Sequence, residues 1–114
     1  MKLSEKNKDF FHNVFDVVRL IPEGRVTSYG AIAKYLGEPR SSRMVGWAMN
    51  ASHKEEGIPA HRVVNRNGLL SGRHHFNPPE AMEQRLVAEG IDVKEHQVQS
   101  LKTVFWDPSE ELKL

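Results

Sequence analysis

The 114-residue sequence contains no cysteine. That absence excludes disulfides, thiolate metal ligands and covalent catalysis through a thiolate, the soft nucleophile among side chains. Apolar runs are short, well below the ~20 residues of a membrane-spanning helix. The opening stretch MKLSEKNKDFFHN lacks the continuous apolar segment of a secretory signal, so a cytoplasmic protein is the default expectation. An excess of one charge is missing too. Sixteen Lys and Arg stand against 15 Asp and Glu, a net +1 that does not by itself announce a nucleic-acid binder. Internal repeats and low-complexity segments are absent. The length suits one domain with one modest core.

The distribution of charge says more than its sum. From Gly24 to Ser52 the bases Arg25, Lys34, Arg40 and Arg43 meet the single acid Glu38, and from Gly57 to Pro79 there are Arg62, Arg66 and Arg73 with no acid. Acids gather elsewhere, as in the tail WDPSEELKL. A basic middle in a near-neutral chain can present one cationic face to phosphates.

Hydrophobic spacing predicts mainly helix. Phe10, Phe11, Val14, Phe15, Val18 and Ile21 form one apolar stripe at helical period, with Ser4 as a cap and Pro22 and Gly24 as the stop. Thr27 or Ser28 caps a second helix, YGAIAKYLG, closed by Gly37. A third helix is expected from about Arg40 to Asn50, with Val45, Ala48 and Met49 on one face. Two short helices joined by a glycine-containing turn form a helix-turn-helix pattern over about 28–50. Beyond it, HRVV reads as a short strand, NRNG as a turn, and LLSG as a possible return strand. A helix at about 78–89 opens at Pro78-Pro79 and stops at Gly90. Val98, Leu101, Val104, Phe105 and Trp106 are expected to pack back onto the core. The fold class is therefore mainly α, a small winged-helix-like domain spanning 1–114 with a minor β element at about 57–76.

The segment IPAHRVVNRNG sets polar residues around an alanine, Ala60, that cannot donate, accept or attack. Together with PEGRVTSYGAIAKYLGEPRSSRMVGWAMN before it and MEQRLVAEGI after it, this order of motifs resembles the DNA-binding domain of the O6-alkylguanine-DNA alkyltransferases. The likeness covers roughly Phe10 to Val93. In that family the segment reads Pro-Cys-His-Arg-Val, and the cysteine takes the alkyl group from guanine irreversibly. Here the matching position is Ala60, with His61 beside it and Glu83 matched to the glutamate behind the histidine. Ala60, His61 and Glu83 are thus vestiges, and alkyl transfer to cysteine is excluded. Cysteine replaced by alanine or tryptophan is the pattern of the alkyltransferase-like subfamily, which binds O6-alkylguanine without repairing it.

The resemblance implies minor-groove contact by the helix-turn-helix, with the damaged nucleotide flipped out of the stack at an unstacking cost of a few kcal/mol. Tyr29 matches the residue that rotates a phosphate, and Arg43 the one that fills the vacated stack. An arginine suits that place because its planar cation both stacks and hydrogen-bonds. Thr27, Ser28, Arg40, Ser42, Met44 and Gly46 join Tyr29 and Arg43 as the expected DNA-binding set. The expected lesion pocket comprises Tyr29, Met49, Ala60, His61 and Val63 with the loop residues Ser71, Gly72, Arg73 and His74. Two positions depart from the transferase pattern: Arg73 stands where a tyrosine is usual, and Ser52 where an asparagine braces the active-site loop. Arg73 is expected to contact the O6 oxygen or a phosphate. Arg62 is expected to brace its loop through backbone carbonyls, and Trp47 to pack at the domain surface. His74 and His75 lack acidic or cysteine companions at ligand spacing, so neither metal nor cofactor is expected.

The function implied is a non-enzymatic sensor of O6-alkylguanine in double-stranded DNA that marks the lesion for nucleotide excision repair, with excision-repair damage-recognition proteins as further partners. Such a protein associates with the bacterial nucleoid when DNA-bound. The alternatives are a Cys-to-Ala mutant of a working transferase and a winged-helix regulator reading sequence in the major groove. The regulator leaves PAHRV unexplained and would usually dimerise on paired half-sites; no dimerisation helix is evident, and a monomer is expected.

Overall fold

The computed structural model describes residues 5–112, so the Ser4 cap lies outside the described residues. Helix α1 spans Glu5–Arg19. Its residues Phe11, Val14, Phe15 and Val18 are all buried, as is Ile21 just beyond it. Burying a side chain of this size is worth about 1.5–3 kcal/mol each, and this stripe forms one wall of the core.

Strand β1, only Thr27–Ser28, leads directly into α2, Tyr29–Tyr35. Of the two caps the sequence offered, Ser28 serves: its Oγ accepts the Ala31 N–H at 3.1 Å. Helix α2 stops where expected. Gly37 takes a φ of +78°, a left-handed turn that a side chain would strain, and the N–H groups of Gly37 and Glu38 close back onto the carbonyls of Lys34 and Ala33. Helix α3 follows at Ser42–Ala51, with Val45, Ala48 and Met49 buried on one face. It begins two residues later than expected, because the Ser41 carbonyl accepts the first helical bond, from Val45. Arg40 therefore lies in the turn before the helix. Helix α2 packs on α3, and α3 on α1.

The β element departs from expectation. Strand β2, Val63–Val64, follows a 3-10 turn at Ala60–Arg62. It pairs in parallel with β1, Thr27 opposite Val63 and Ser28 opposite Val64. The NRNG turn does form: Asn65 Oδ1 accepts the N–H groups of Asn67 and Leu69, each at 2.9 Å. Gly68 sits at φ +84° with the Val98 carbonyl 3.3 Å from where a Cβ would stand. But LLSG does not return along HRVV. Leu69 bridges Gln97 instead, and the valines of β2, both buried in the core, pair with the segment that opens α2.

Helix α4, Ala81–Ala88, lies within the expected range. The chain then forms the antiparallel pair β3, Val93–Lys94, and β4, Gln97–Val98. Two single-turn helices end it, α5 at Leu101–Val104 and α6 at Pro108–Glu111. Val98 and Trp106 are buried, Leu101, Val104 and Phe105 partly so. The Arg25 guanidinium fastens this tail by donating to the carbonyls of Val104 at 3.0 Å and Phe105 at 2.6 Å. The architecture is mainly helical with a minor sheet. No helix among the described residues is long and apolar enough to cross a membrane.

Candidate nucleic-acid interface

A cleft of about 410 Å³ is lined by Tyr29 at the start of α2, by Ser42, Arg43, Gly46, Trp47 and Asn50 of α3, and by Ser71, Gly72 and His75 of the loop after the NRNG turn. The α3 contribution follows from helical geometry: 43, 46, 47 and 50 recur at i, i+3, i+4 and i+7 and share one face. The opposite face, Val45, Ala48 and Met49, is in the core. Tyr29 is oriented by the Ser28 cap on one side and by Gly72 on the other, where an added Cβ would lie 3.0 Å from the phenol oxygen. No carboxylate lines the cleft. A guanidinium, a phenol, an indole, an amide and an imidazole surround it, groups suited to a phosphate ester and the faces of bases.

Next to Ala60, a second arrangement is fixed by one carboxylate. Glu89, at the end of α4, has Oε2 2.6 Å from His61 Nε2 and accepts from Arg62 Nη2 at 2.8 Å, while its Oε1 accepts the Gly24 N–H at 2.9 Å and Arg62 Nε at 3.1 Å. Arg62 also donates to the Ile21 carbonyl at 2.9 Å, which is the loop bracing expected of it. Burial alone would raise the Glu89 carboxyl, but the bonds from Arg62, Gly24 and His61 outweigh it and hold the pKa down at about 2. His61 is pushed below its ordinary range, chiefly by burial and against the pull of Glu89. A neutral His61 beside an ionised carboxylate must carry its proton on Nε2, the donor to Glu89. Its Nδ1 is then an acceptor, buried and without a partner among the described residues.

This corrects the assignment of Glu83. Glu83 is half-buried and stands 4.0 Å from His96; it lies in the first turn of α4, whereas the helix end carries Glu89 to His61. Other expected site residues also lie elsewhere. Thr27 is fully buried, and Ser28 is buried with its hydroxyl accepting the cap bond, so neither lines the cleft. Met49 and Val63 belong to the core. Ala60 is buried, and His61 borders a different groove with Arg19, Gly57, Ile58, Pro59, Arg62 and Arg85. Arg73 donates to the Leu70 carbonyl at 3.1 Å and, with His74, lines a third groove against Glu80, Glu83 and His96. Arg40 and Met44 are not cleft-lining, though Arg40 is exposed. The structure thus brings together Tyr29, Ser42, Arg43, Gly46, Ser71 and Gly72 of the expected set. It adds Trp47, Asn50 and His75. The first two were legible as the +4 and +7 positions from Arg43. Ser52 is buried, its hydroxyl donating to the Met49 carbonyl at 2.6 Å.

A small helix-turn-helix domain with a polar, acid-free cleft beside its second helix is the class these features define. Residues 9–91 match the 6-O-methylguanine DNA methyltransferase DNA-binding domain. The chain belongs to that family. It is 40% identical over 85 residues to alkyltransferase-like protein 1 of Schizosaccharomyces pombe, covering 75% of this chain and 79% of that protein. It is 42% identical over 91 residues to the DNA base-flipping protein of Escherichia coli, covering 78% and 67%. The crystal structure of S. pombe Atl1 in complex with damaged DNA containing O6-carboxymethylguanine superposes with a TM-score of 0.78 at 34% identity, over 95% of this chain and all of that one. These likenesses identify the chain as alkyltransferase-like, and it contains no cysteine.

Proposed function

We propose that this protein is a non-enzymatic sensor that binds O6-alkylguanine in duplex DNA, flips the nucleotide, and leaves it marked for nucleotide excision repair. The observation that carries the reading is the pairing of Tyr29 and Arg43 in one acid-free cleft of a chain that has no cysteine at all. Tyr29 is placed to turn a phosphate, and Arg43 to occupy the stack a flipped base vacates. The relatives named for base flipping, and the Atl1 structures with DNA, support the same reading. The His61–Glu89 pair, which in a transferase would serve a thiolate, here ties three chain segments together, so its presence does not require chemistry. Arg73 takes part by exchanging its bond to the Leu70 carbonyl for one to the lesion or a phosphate.

The test is binding to a short duplex carrying one O6-methylguanine beside the same duplex unmodified, at one stated salt concentration, followed by analysis of the guanine. Strong preference for the lesion with the methyl group still in place is expected. Equal, weak binding to both duplexes, or loss of the methyl group, would overturn the reading.

A further inference from the structure

Trp47 is the feature of the cleft that the proposed roles of Tyr29 and Arg43 leave unused. It is 42% exposed, one of few large apolar side chains left in water. Its indole has no aromatic or hydrogen-bond partner among the described residues. It stands one helical turn after Arg43 on the same face, and both side chains border the cleft that Tyr29 also lines. A tryptophan used for packing would be turned inward with Val45, Ala48 and Met49, its neighbours on the helix, which are buried. A helix meant only to lie close against a sugar-phosphate backbone would carry a small residue there, as it does at Gly46. Instead the widest π-face among the side chains stands next to the cation placed to enter the base stack.

We infer that Trp47 is a second DNA-contacting group of the cleft, stacking on the face of a nucleobase in the bound duplex beside the site where Arg43 inserts. This rests on the proposed DNA-binding reading and deepens it. Every base offers a π-face, so the contact adds affinity with little regard to sequence, and an apolar side chain at an opened base step helps hold the step open. Arg43 supplies charge and hydrogen bonds to the gap; Trp47 supplies the apolar surface that a displaced neighbour loses.

The sequence permits a direct readout. It contains two tryptophans, and Trp106 is buried at 4% exposure, so a change in emission on adding DNA comes from Trp47. Titration of the full-length protein with the O6-methylguanine duplex, read by intrinsic emission and in parallel by anisotropy of a labelled duplex, is expected to show quenching that follows the binding curve. Trp47→Phe should retain most of the affinity, and Trp47→Ala should lose on the order of tenfold, as one lost base–aromatic stack implies. Because the side chain is exposed, the far-ultraviolet dichroism and Tm of both variants should match the parent. Lesion-selective binding by anisotropy with unchanged emission, and with Trp47→Ala as tight as the parent, would overturn the role of Trp47 while leaving the sensor reading intact. Absence of binding by anisotropy would overturn both.

Discussion

Arg43 and Gly72 show how much of the cleft rests on single side chains. Arg43 is exposed, and its guanidinium has no hydrogen-bond or ion-pair partner among the described residues, so it adds little to the stability of the free protein. Arg43→Ala is expected to leave the unfolding free energy within about 0.5 kcal/mol of the parent and to weaken binding to the lesion duplex far more than binding to plain DNA. Equal weakening on both, measured by anisotropy, would reduce Arg43 to one phosphate contact among several. Gly72 acts through Tyr29. With a Cβ placed 3.0 Å from the phenol oxygen, Gly72→Ala must displace the tyrosine by a few tenths of an ångström, and lesion affinity should fall severalfold with little change in Tm. For Arg73, now bonded to the Leu70 carbonyl, the measurement is the ratio of damaged to undamaged affinity in Arg73→Ala. That ratio should drop; an unchanged one would remove Arg73 from recognition.

At the scale of elements, the Glu89 carboxylate joins the end of α4 to the turn that carries His61 and Arg62 and to the loop after α1 at Gly24. Removing one partner of a fully buried ion pair typically costs about 3–5 kcal/mol, and this pair is only partly buried, so the cost is smaller. Glu89→Gln keeps the shape and one acceptor, so a loss of about 1–3 kcal/mol is expected in denaturant unfolding. The pH dependence has a fixed sign. The Glu89 pKa is depressed on folding to about 2 from an ordinary 4.5, so its stabilisation is complete above pH 4.5 and lost as pH falls toward 2. His61 is also depressed from 6.5; the unfolded chain takes up a proton that the folded one refuses, and stability declines below pH 6.5 for this reason too. Tm measured down the acid side should therefore fall in two stages. In Glu89→Gln the stage below 4.5 should be markedly shallower, and an unaltered profile would mean that Glu89 is not the residue that titrates there.

For the whole molecule, the basic middle of the chain is less available than its composition suggests. Arg25 is committed to the carbonyls of Val104 and Phe105, Arg62 to Glu89 and the Ile21 carbonyl, and Arg73 to the Leu70 carbonyl. Lys34, Arg40 and Arg43 remain exposed on the helix-turn-helix. Each phosphate neutralised contributes about −0.9 to the slope of log K against log salt, so these three cations set an expected slope of about −2 to −3, on damaged and undamaged duplex alike. A binding constant independent of salt would mean that another surface meets the DNA.

The sequence by itself determined the four longer helices, the helix-turn-helix, a cap at Thr27 or Ser28, the stop at Gly37 and the family, because these depend on spacing and on residues acting within one turn of their own position; the choice of Ser28 as cap was left to the structure. The absence of any cysteine was equally plain, since it is a matter of composition; that Ala60 matches the acceptor position is what the resemblance implies. The sequence also placed the residues of the α3 face, including Trp47 and Asn50, within reach of the periodicity of Arg43. What tertiary structure decided were the contacts between residues far apart in the chain. The carboxylate on His61 is Glu89 and not Glu83, because which residue of α4 meets the Ala60 turn depends on how the helix docks. The partner of Val63–Val64 is Thr27–Ser28 and not LLSG, because both valines need burial on the core side of the helix-turn-helix. His75 reaches the cleft while Arg73 and His74 turn from it, since a 3-10 turn at Arg73–His75 sends successive side chains in different directions that linear order does not reveal.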